Sequence, residues 1–345
     1  MDFKTEKLFK ALDARIVKTQ ASKSAEIASF YIDTINSGTL QKGEKLPSIN
    51  ETAHSCNIAC ETVRRAYAEL KAKGLLTARQ GKAFFVAKSA YREKPNVFLM
   101  FDSVHNPYKS LIYRGILDGV GNGATLYFCA HGRNENLFKT LLKNALGKYE
   151  YYVVIPMRDK APVEALRKLN QKKLMLLDID VDFKAKACSK IVQNFDANLM
   201  RALDGLKLEK YEGWDFRFVN ARKNGHPSEI GPTLEAFCTK RRLNFLKCGE
   251  VLEGDIRRNT VWFVIEDSDL VKLMKASKRK GLKLKRDYSV LTYNDTDMKH
   301  IIEGGVSTVS IDFYEMGLKT AKQILKWDPA LSEVMETRLI PGNTI

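Results

Sequence analysis

The sequence predicts a multidomain protein: an N-terminal winged helix-turn-helix followed by a C-terminal two-lobed α/β domain. Two observations carry this. Between Gly43 and Val86, two helical patterns meet at a short turn and run into a hairpin. From Asn96 onward, strand and helix patterns alternate, as in a parallel sheet covered on both faces. A length of 345 residues suits two or three cores better than one. The expected boundaries are 1–88 for the first domain, with a helical extension over 1–20, then a linker at 89–95 and the second domain at 96–345.

Residues 5–18 read as an amphipathic helix, with Leu8, Leu12 and Ile16 on one face. It packs on the first domain or on a second subunit, or it frays as a terminal extension. Ile27, Tyr31 and Ile35 mark a helix over 22–37. Leu46-Pro47-Ser48 opens a short helix, with Ser48 and Glu51 at capping-box spacing. A turn at Asn57-Ile58-Ala59 leads to a helix from Cys60 to Lys73. Val63, Ala66, Tyr67 and Leu70 form its inner stripe, and Gly74 stops it. Strands at 75–79 and 83–87 flank the basic tip Gln80-Gly81-Lys82.

This pattern points to duplex DNA. A helix fits the major groove, where polar side chains near its N-terminus reach base edges. Basic residues and backbone N–H groups hold phosphates. The candidate contacts are Lys45, Ser48, Asn50, Glu61, Thr62, Arg64 and Arg65, with Gln80, Gly81 and Lys82 in the hairpin. Leu46-Pro47-Ser48, Thr62-Val63-Arg64 and Gly81-Lys82-Ala83-Phe84-Phe85-Val86 stand in the order and spacing of the GntR family of bacterial transcription regulators, which this quarter of the chain resembles. Three features, at four positions, depart from that family. Ala59 and Cys60 stand where Ser or Thr and then Arg are usual, Asn50 stands for Arg, and Ala83 for the second wing Gly. The first two remove expected phosphate or base contacts, so site preference should differ from relatives.

Composition agrees with a polyanion partner. The net charge is +16. Residues 1–88 hold 15 Lys+Arg and 9 Asp+Glu, so charge alone does not locate the site. No apolar run approaches the roughly 18–20 residues that span a bilayer, and residues 1–20 lack a secretory apolar core. We therefore expect a cytoplasmic protein with no membrane partner. Six scattered cysteines without a C-x-x-C pair indicate neither a disulfide framework nor a zinc site, and buried thiols are expected at Cys56 and Cys60. No P-loop, G-x-S-x-G elbow or H-E-x-x-H is present, so no catalytic residue, metal or cofactor is expected.

The second domain reads as strands at 97–101, 125–129, 151–155, 173–177, 214–219, 261–265, 288–293 and 306–309. Helices are expected at 108–120, 135–146, 161–170, 229–240, 268–280 and 312–326. Two wound halves joined by crossing segments make hinged lobes with a cleft between them. Five segments resemble the LacI-type effector domain, related to periplasmic sugar-binding proteins: Phe101–Tyr108, Val192–Asp196, Glu266-Asp267, Tyr293–Asp295, and Ser307–Val309 leading to Glu315-Met316-Gly317. A GntR-type head on a LacI-type body resembles the arabinose-repressor subgroup, which implies a sugar effector and a homodimer.

Ligands of open α/β sheets bind beyond the carboxyl ends of strands. That rule selects Asp102, His105, Tyr108, Arg133, Arg158, Asp196, Arg222, Asp267, Asn294 and Asp295 as candidate ligand-binding residues, with His131 nearby. Asp, Asn and Arg supply paired hydrogen bonds, and Tyr108 or Phe195 an aromatic platform. The competing role of Asp196 and Asp267 is helix capping. The run Asp178-Ile179-Asp180-Val181-Asp182 is expected to be a solvated loop, since it lacks the spacing of a calcium loop. The expected function is a sequence-specific regulator on double-stranded operator DNA, a repressor controlled by a sugar-like small molecule. The alternatives are a regulator whose cleft only dimerises, and an enzyme body fused to a DNA-binding head, for which about 250 residues are short.

Overall fold

The computed structural model describes residues 3–79, 83–91, 94–103, 106–182, 188–206, 208–220 and 227–345. The chain forms two compact units, Met1–Glu93 and Lys94–Ile345. The candidate residues Gln80, Gly81, Lys82, His105 and Arg222 lie outside the described residues.

The first unit contains α1 (Phe3–Lys18), α2 (Lys23–Asn36), α3 (Ile49–Ser55) and α4 (Cys60–Ala72). An antiparallel pair follows, β1 (Leu76–Arg79) with β2 (Ala83–Val86). The N-terminal extension is docked: Leu8, Phe9, Leu12 and Ile16 join the core formed by Ile27, Tyr31, Val63, Tyr67 and Leu70. Arg15 fixes it laterally, reaching Glu26 and Asp33, each at 2.6 Å. Tyr91, inside the segment expected as a linker, is tied to this unit. Its N–H donates to Asn36 Oδ1 at 2.7 Å, and the Asn36 amide returns a bond to its carbonyl at 2.8 Å.

The second unit has two six-stranded sheets. Lobe 1 holds β3 (Asn96–Phe101), β4 (Thr125–Ala130), β5 (Tyr151–Val154), β6 (Leu174–Asp178), β7 (Ser189–Val192) and β13 (Ser332–Val334), in the order β13-β7-β6-β5-β3-β4. Lobe 2 holds β8 (Asp215–Val219), β9 (Asn244–Cys248), β10 (Thr260–Val264), β11 (Tyr288–Tyr293), β12 (Ser307–Ser310) and β14 (Arg338–Ile340), in the order β14-β12-β11-β10-β8-β9. All pairings are parallel except β12 with β14. The chain passes between lobes after β7, after β12 and between β13 and β14.

Side-chain alternation divides each lobe into two cores. In lobe 1, Val97, Leu99 and Phe101 face α5 (Pro107–Val120) and α11 (Phe313–Leu325). Phe98 and Met100 face α6 (Glu135–Ala145) and α7 (Lys160–Leu166). In lobe 2, Phe216 and Phe263 face α8 (Ala197–Asp204) and α9 (Ile230–Lys240). Trp262 and Val264 face α10 (Asp267–Arg279).

Some expectations require correction. The helix expected over 161–170 ends at Leu166, and Trp214 precedes its strand rather than opening it. Strands β7, β9, β13 and β14 were not expected. The edge strand β9 is mostly exposed, so Asn244–Cys248 lacks the apolar run of a buried strand. Strands β13 and β14 have three residues each and present no period to read.

Helices α5 and α11 touch backbone to backbone. A Cβ added to Gly317 would lie 2.3 Å from the Ile112 carbonyl oxygen, and one on Gly115 the same distance from that of Tyr314. Gly317→Ala should therefore force the helices apart and cost about 1–3 kcal/mol in urea denaturation. Gly249→Ala, where nothing lies within 4 Å, should be near neutral. Equal stability of both variants would contradict the close crossing.

Candidate functional site

The head builds its exposed surface on a polar pin. The Tyr67 hydroxyl lies 2.9 Å from the Pro47 carbonyl oxygen, 3.1 Å from the Tyr31 hydroxyl and 3.2 Å from that of Thr52. This buried network joins α2, α3 and α4, and burial raises the Tyr67 pKa well above its ordinary value. Ser48 and Glu51 form the capping box of α3: Ser48 Oγ accepts from Glu51 N at 3.2 Å, and Ser48 N donates to Glu51 Oε2 at 2.7 Å. The Ser48 hydroxyl is thus engaged within the fold. Ala59, which precedes helix α4, gives it no side-chain cap.

Val63, Ala66, Tyr67 and Leu70 are buried, as their stripe implies. Glu61, Arg64 and Arg65 lie on the exposed face of α4, while Thr62 is half-buried. Glu61 holds Arg64 at 2.6 Å and Arg65 at 3.7 Å. Lys45 and Asn50 are exposed. Cys56 is buried, but Cys60 is exposed and lies 3.6 Å from Asn50 Oδ1, which corrects the expectation of a buried thiol there. A thiol at the start of α4 points outward because the inner stripe begins only at Val63.

In the second unit, the carboxyl ends of both sheets border a cavity of about 480 Å³. Asp102, Asn106, Tyr108 and Arg133 line it from lobe 1, and Glu266, Asp267, Asn294 and Lys299 from lobe 2. A deeper recess of about 40 Å³ adds Lys109, Asp178, Gln193, Phe195 and Tyr293. Five candidates, Asp102, Tyr108, Arg133, Asp267 and Asn294, therefore meet at one place.

Three others do not line it. Asp196 caps α8 by accepting from Ala197 N. The Asp295 carboxylate accepts from the His300 ring at 2.7 Å, and its backbone N–H donates to Ser310 Oγ at 2.9 Å. Arg158 crosses the cleft to Glu229 at 2.7 Å, with its guanidinium 5.8 Å from the Phe195 ring centre. Burial opposes the Glu229 carboxylate, but Arg158 holds its pKa below the ordinary value.

The floor of the cleft is ionic. Lys109, 2% exposed, bonds Asp178 and sits 3.6 Å from Asp102 Oδ1. Arg133 reaches Asp102 Oδ2 at 3.4 Å. Burial disfavours the Lys109 ammonium, yet Asp178 and Asp102 outweigh it and raise the pKa. Burial likewise opposes the Asp102 carboxylate, and Lys109 and Arg133 hold its pKa down. Burial lowers the pKa of His131, favouring the neutral ring. Asp178 is thus no solvated loop residue, a correction to that expectation: its backbone turns left-handed, φ 68°, where β6 ends against Lys109. Asn294 turns likewise, φ 64°. Lys109, Asp178, Gln193 and Lys299 were missed from sequence. The strand-end rule reaches Asp178 and Gln193. Lys109 gave no signal, because a lysine in the first turn of a helix opposes the helix dipole and reads as solvated.

Residues 24–86 match the family model for bacterial regulatory proteins of the gntR family. The fold is shared with several solved structures. A Lac repressor dimer bound to operator and an anti-inducer aligns at TM-score 0.60 and 14% identity, covering 73% of this chain and 94% of that one. The trehalose repressor from Escherichia coli aligns at 0.59 and 13%, covering 72% and 100%. A LacI family transcriptional regulator from Weissella paramesenteroides with bound sucrose aligns at 0.58 and 16%, covering 72% and 98%. No described helix is long and apolar enough to cross a membrane.

Removing the Lys109 charge should expose how much the cleft depends on it. Lys109→Met leaves the buried Asp178 carboxylate without its cation and should cost about 3–5 kcal/mol in urea denaturation. Adding Asp178→Leu should recover part of that loss. A double variant less stable than the single one would contradict a paired floor. The N-terminal unit carries a GntR-type helix-turn-helix, and the C-terminal unit has the two-lobed fold of LacI-type and periplasmic-binding-protein-like domains.

Proposed function

We propose that this protein is a sequence-specific transcription regulator. It represses as a homodimer on double-stranded operator DNA in the cytoplasm, and a sugar-like small molecule bound between its lobes controls it. The observation that carries this reading is the union, in one chain, of a GntR-type head with a two-lobed domain whose cavity is bounded by both lobes. The structural neighbours support it: their names describe a repressor dimer on operator, a trehalose repressor and a regulator holding sucrose. The exposed face of α4 supplies base-reading chemistry, with Arg64 and Arg65 as guanine-directed forks, and Asn50 on α3 suits adenine. Lys45 suits a phosphate.

Control requires the effector to bind two states of the protein unequally. The Arg158–Glu229 pair, which joins the lobes, suits the closed state. A ligand that favours or opposes closure changes how two heads of a dimer meet half-sites at fixed separation. The same ion pair also favours the reading in which the lobes close without ligand and serve only dimerisation. The polar cavity walls argue for a ligand.

A gel shift at fixed salt tests the proposal, using a palindromic duplex from upstream of the gene. We expect Arg64→Ala to weaken operator binding by ~1–3 kcal/mol, roughly 5- to 150-fold. Lys45→Ala should weaken operator and random DNA alike. Equal affinity of the unaltered protein for operator and random duplex would sink the reading.

A further inference from the structure

Five polar atoms on the walls of the cleft are buried without a hydrogen-bond partner: Asp102 Oδ1, Gln193 Oε1, Tyr293 OH, Asn294 Oδ1 and Thr296 Oγ1. Each belongs to a residue no more than 8% exposed. Such groups are rare inside proteins, and five around one cavity call for a ligand that completes them. Three can only accept, and the two hydroxyls can accept or donate. The Gln193 oxygen is assigned by its neighbour, since its amide nitrogen donates to Asp178.

The cations of the cavity walls are already engaged. Lys109 is held by Asp178 and Asp102, and Arg133 by Asp102. Lys299 is held by Asp267 at 3.1 Å and by the carbonyls of Tyr293 and Asn294. Among the described residues, the carboxylates of Asp102, Asp178, Glu266 and Asp267 outnumber these three cations.

The kind of donor follows from this imbalance. A hydroxyl brings one proton but two lone pairs, so it satisfies one acceptor and adds others. An ammonium brings three donors and no acceptor, and its bond to an ionised Asp102 is charge-assisted. A phosphate brings only acceptors and negative charge to walls whose cations are taken. Resting on the sensor reading above, we propose that the cleft binds a polyhydroxylated amine of the amino-sugar class in preference to neutral or phosphorylated sugars. The ammonium lies against Asp102 and Asn294, with hydroxyls toward Tyr293 and Thr296.

The test is isothermal titration of the full chain with glucosamine, galactosamine and mannosamine. Each is compared with its parent hexose, its N-acetyl form and the hexose 6-phosphate. We expect at least one amine to bind tenfold or more tighter than its three counterparts. That margin should collapse in Asp102→Asn, which keeps the shape and removes the charge. Should that variant fail to fold by circular dichroism, the near-isosteric Thr296→Val should still weaken the amine severalfold. A neutral or phosphorylated hexose that binds as tightly as its amine overturns this inference and leaves the sensor reading standing. A panel in which no sugar of any class binds overturns both.

Discussion

The buried Lys109 ammonium is the constraint on which the cleft depends. It sits in the first turn of α5, where the helix dipole and burial both oppose a positive charge. Asp178 at the end of β6 and Asp102 just past β3 make it tolerable. The same contacts draw together three elements whose ends form the cavity floor. Asp178 also receives the Gln193 amide, so the crossing segment after β7 is fixed to the same point. Further along, α5 meets α11 at the paired glycines Gly115 and Gly317. The helix that carries the charged floor is therefore packed without a gap against the helix that follows a lobe crossing.

The head follows a different logic. The exposed side chains of α4 stand on a helix whose inner face is apolar and whose position is set by the Tyr67, Tyr31, Thr52 and Pro47 network. That network is insulated from the outer face, where Glu61 pairs with Arg64 and Arg65. Surface ion pairs of this kind contribute little to stability. Their consequence is positional, since they hold two guanidinium groups along one carboxylate.

The fold was largely legible because both domains rest on periodic burial. The stripe of α4, the capping box at Ser48 and the apolar strands of both lobes are short-range patterns that tertiary packing reinforced. The site was legible only in part. Strand ends located Asp102, Arg133, Asp267 and Asn294, because topology alone places such positions at the cleft. Asp196 and Arg158 also met the rule, yet one caps a helix and the other crosses to Glu229. Position along a strand does not say where a long or a capping side chain ends. Lys109 was invisible because its role depends on two acids, one of them 69 residues away in sequence. The thiol of Cys60 faced outward for the opposite reason: residue type suggests burial, but helix phase decides it.

Control of operator binding by an effector requires the cleft and the head to be energetically coupled. The most direct measurement titrates the full chain with its effector, with and without saturating operator duplex at fixed salt. Coupling between binding sites is reciprocal. Operator should change effector affinity by the same factor, about 5- to 150-fold, by which effector changes operator affinity. An effector affinity that is identical with and without operator would contradict it.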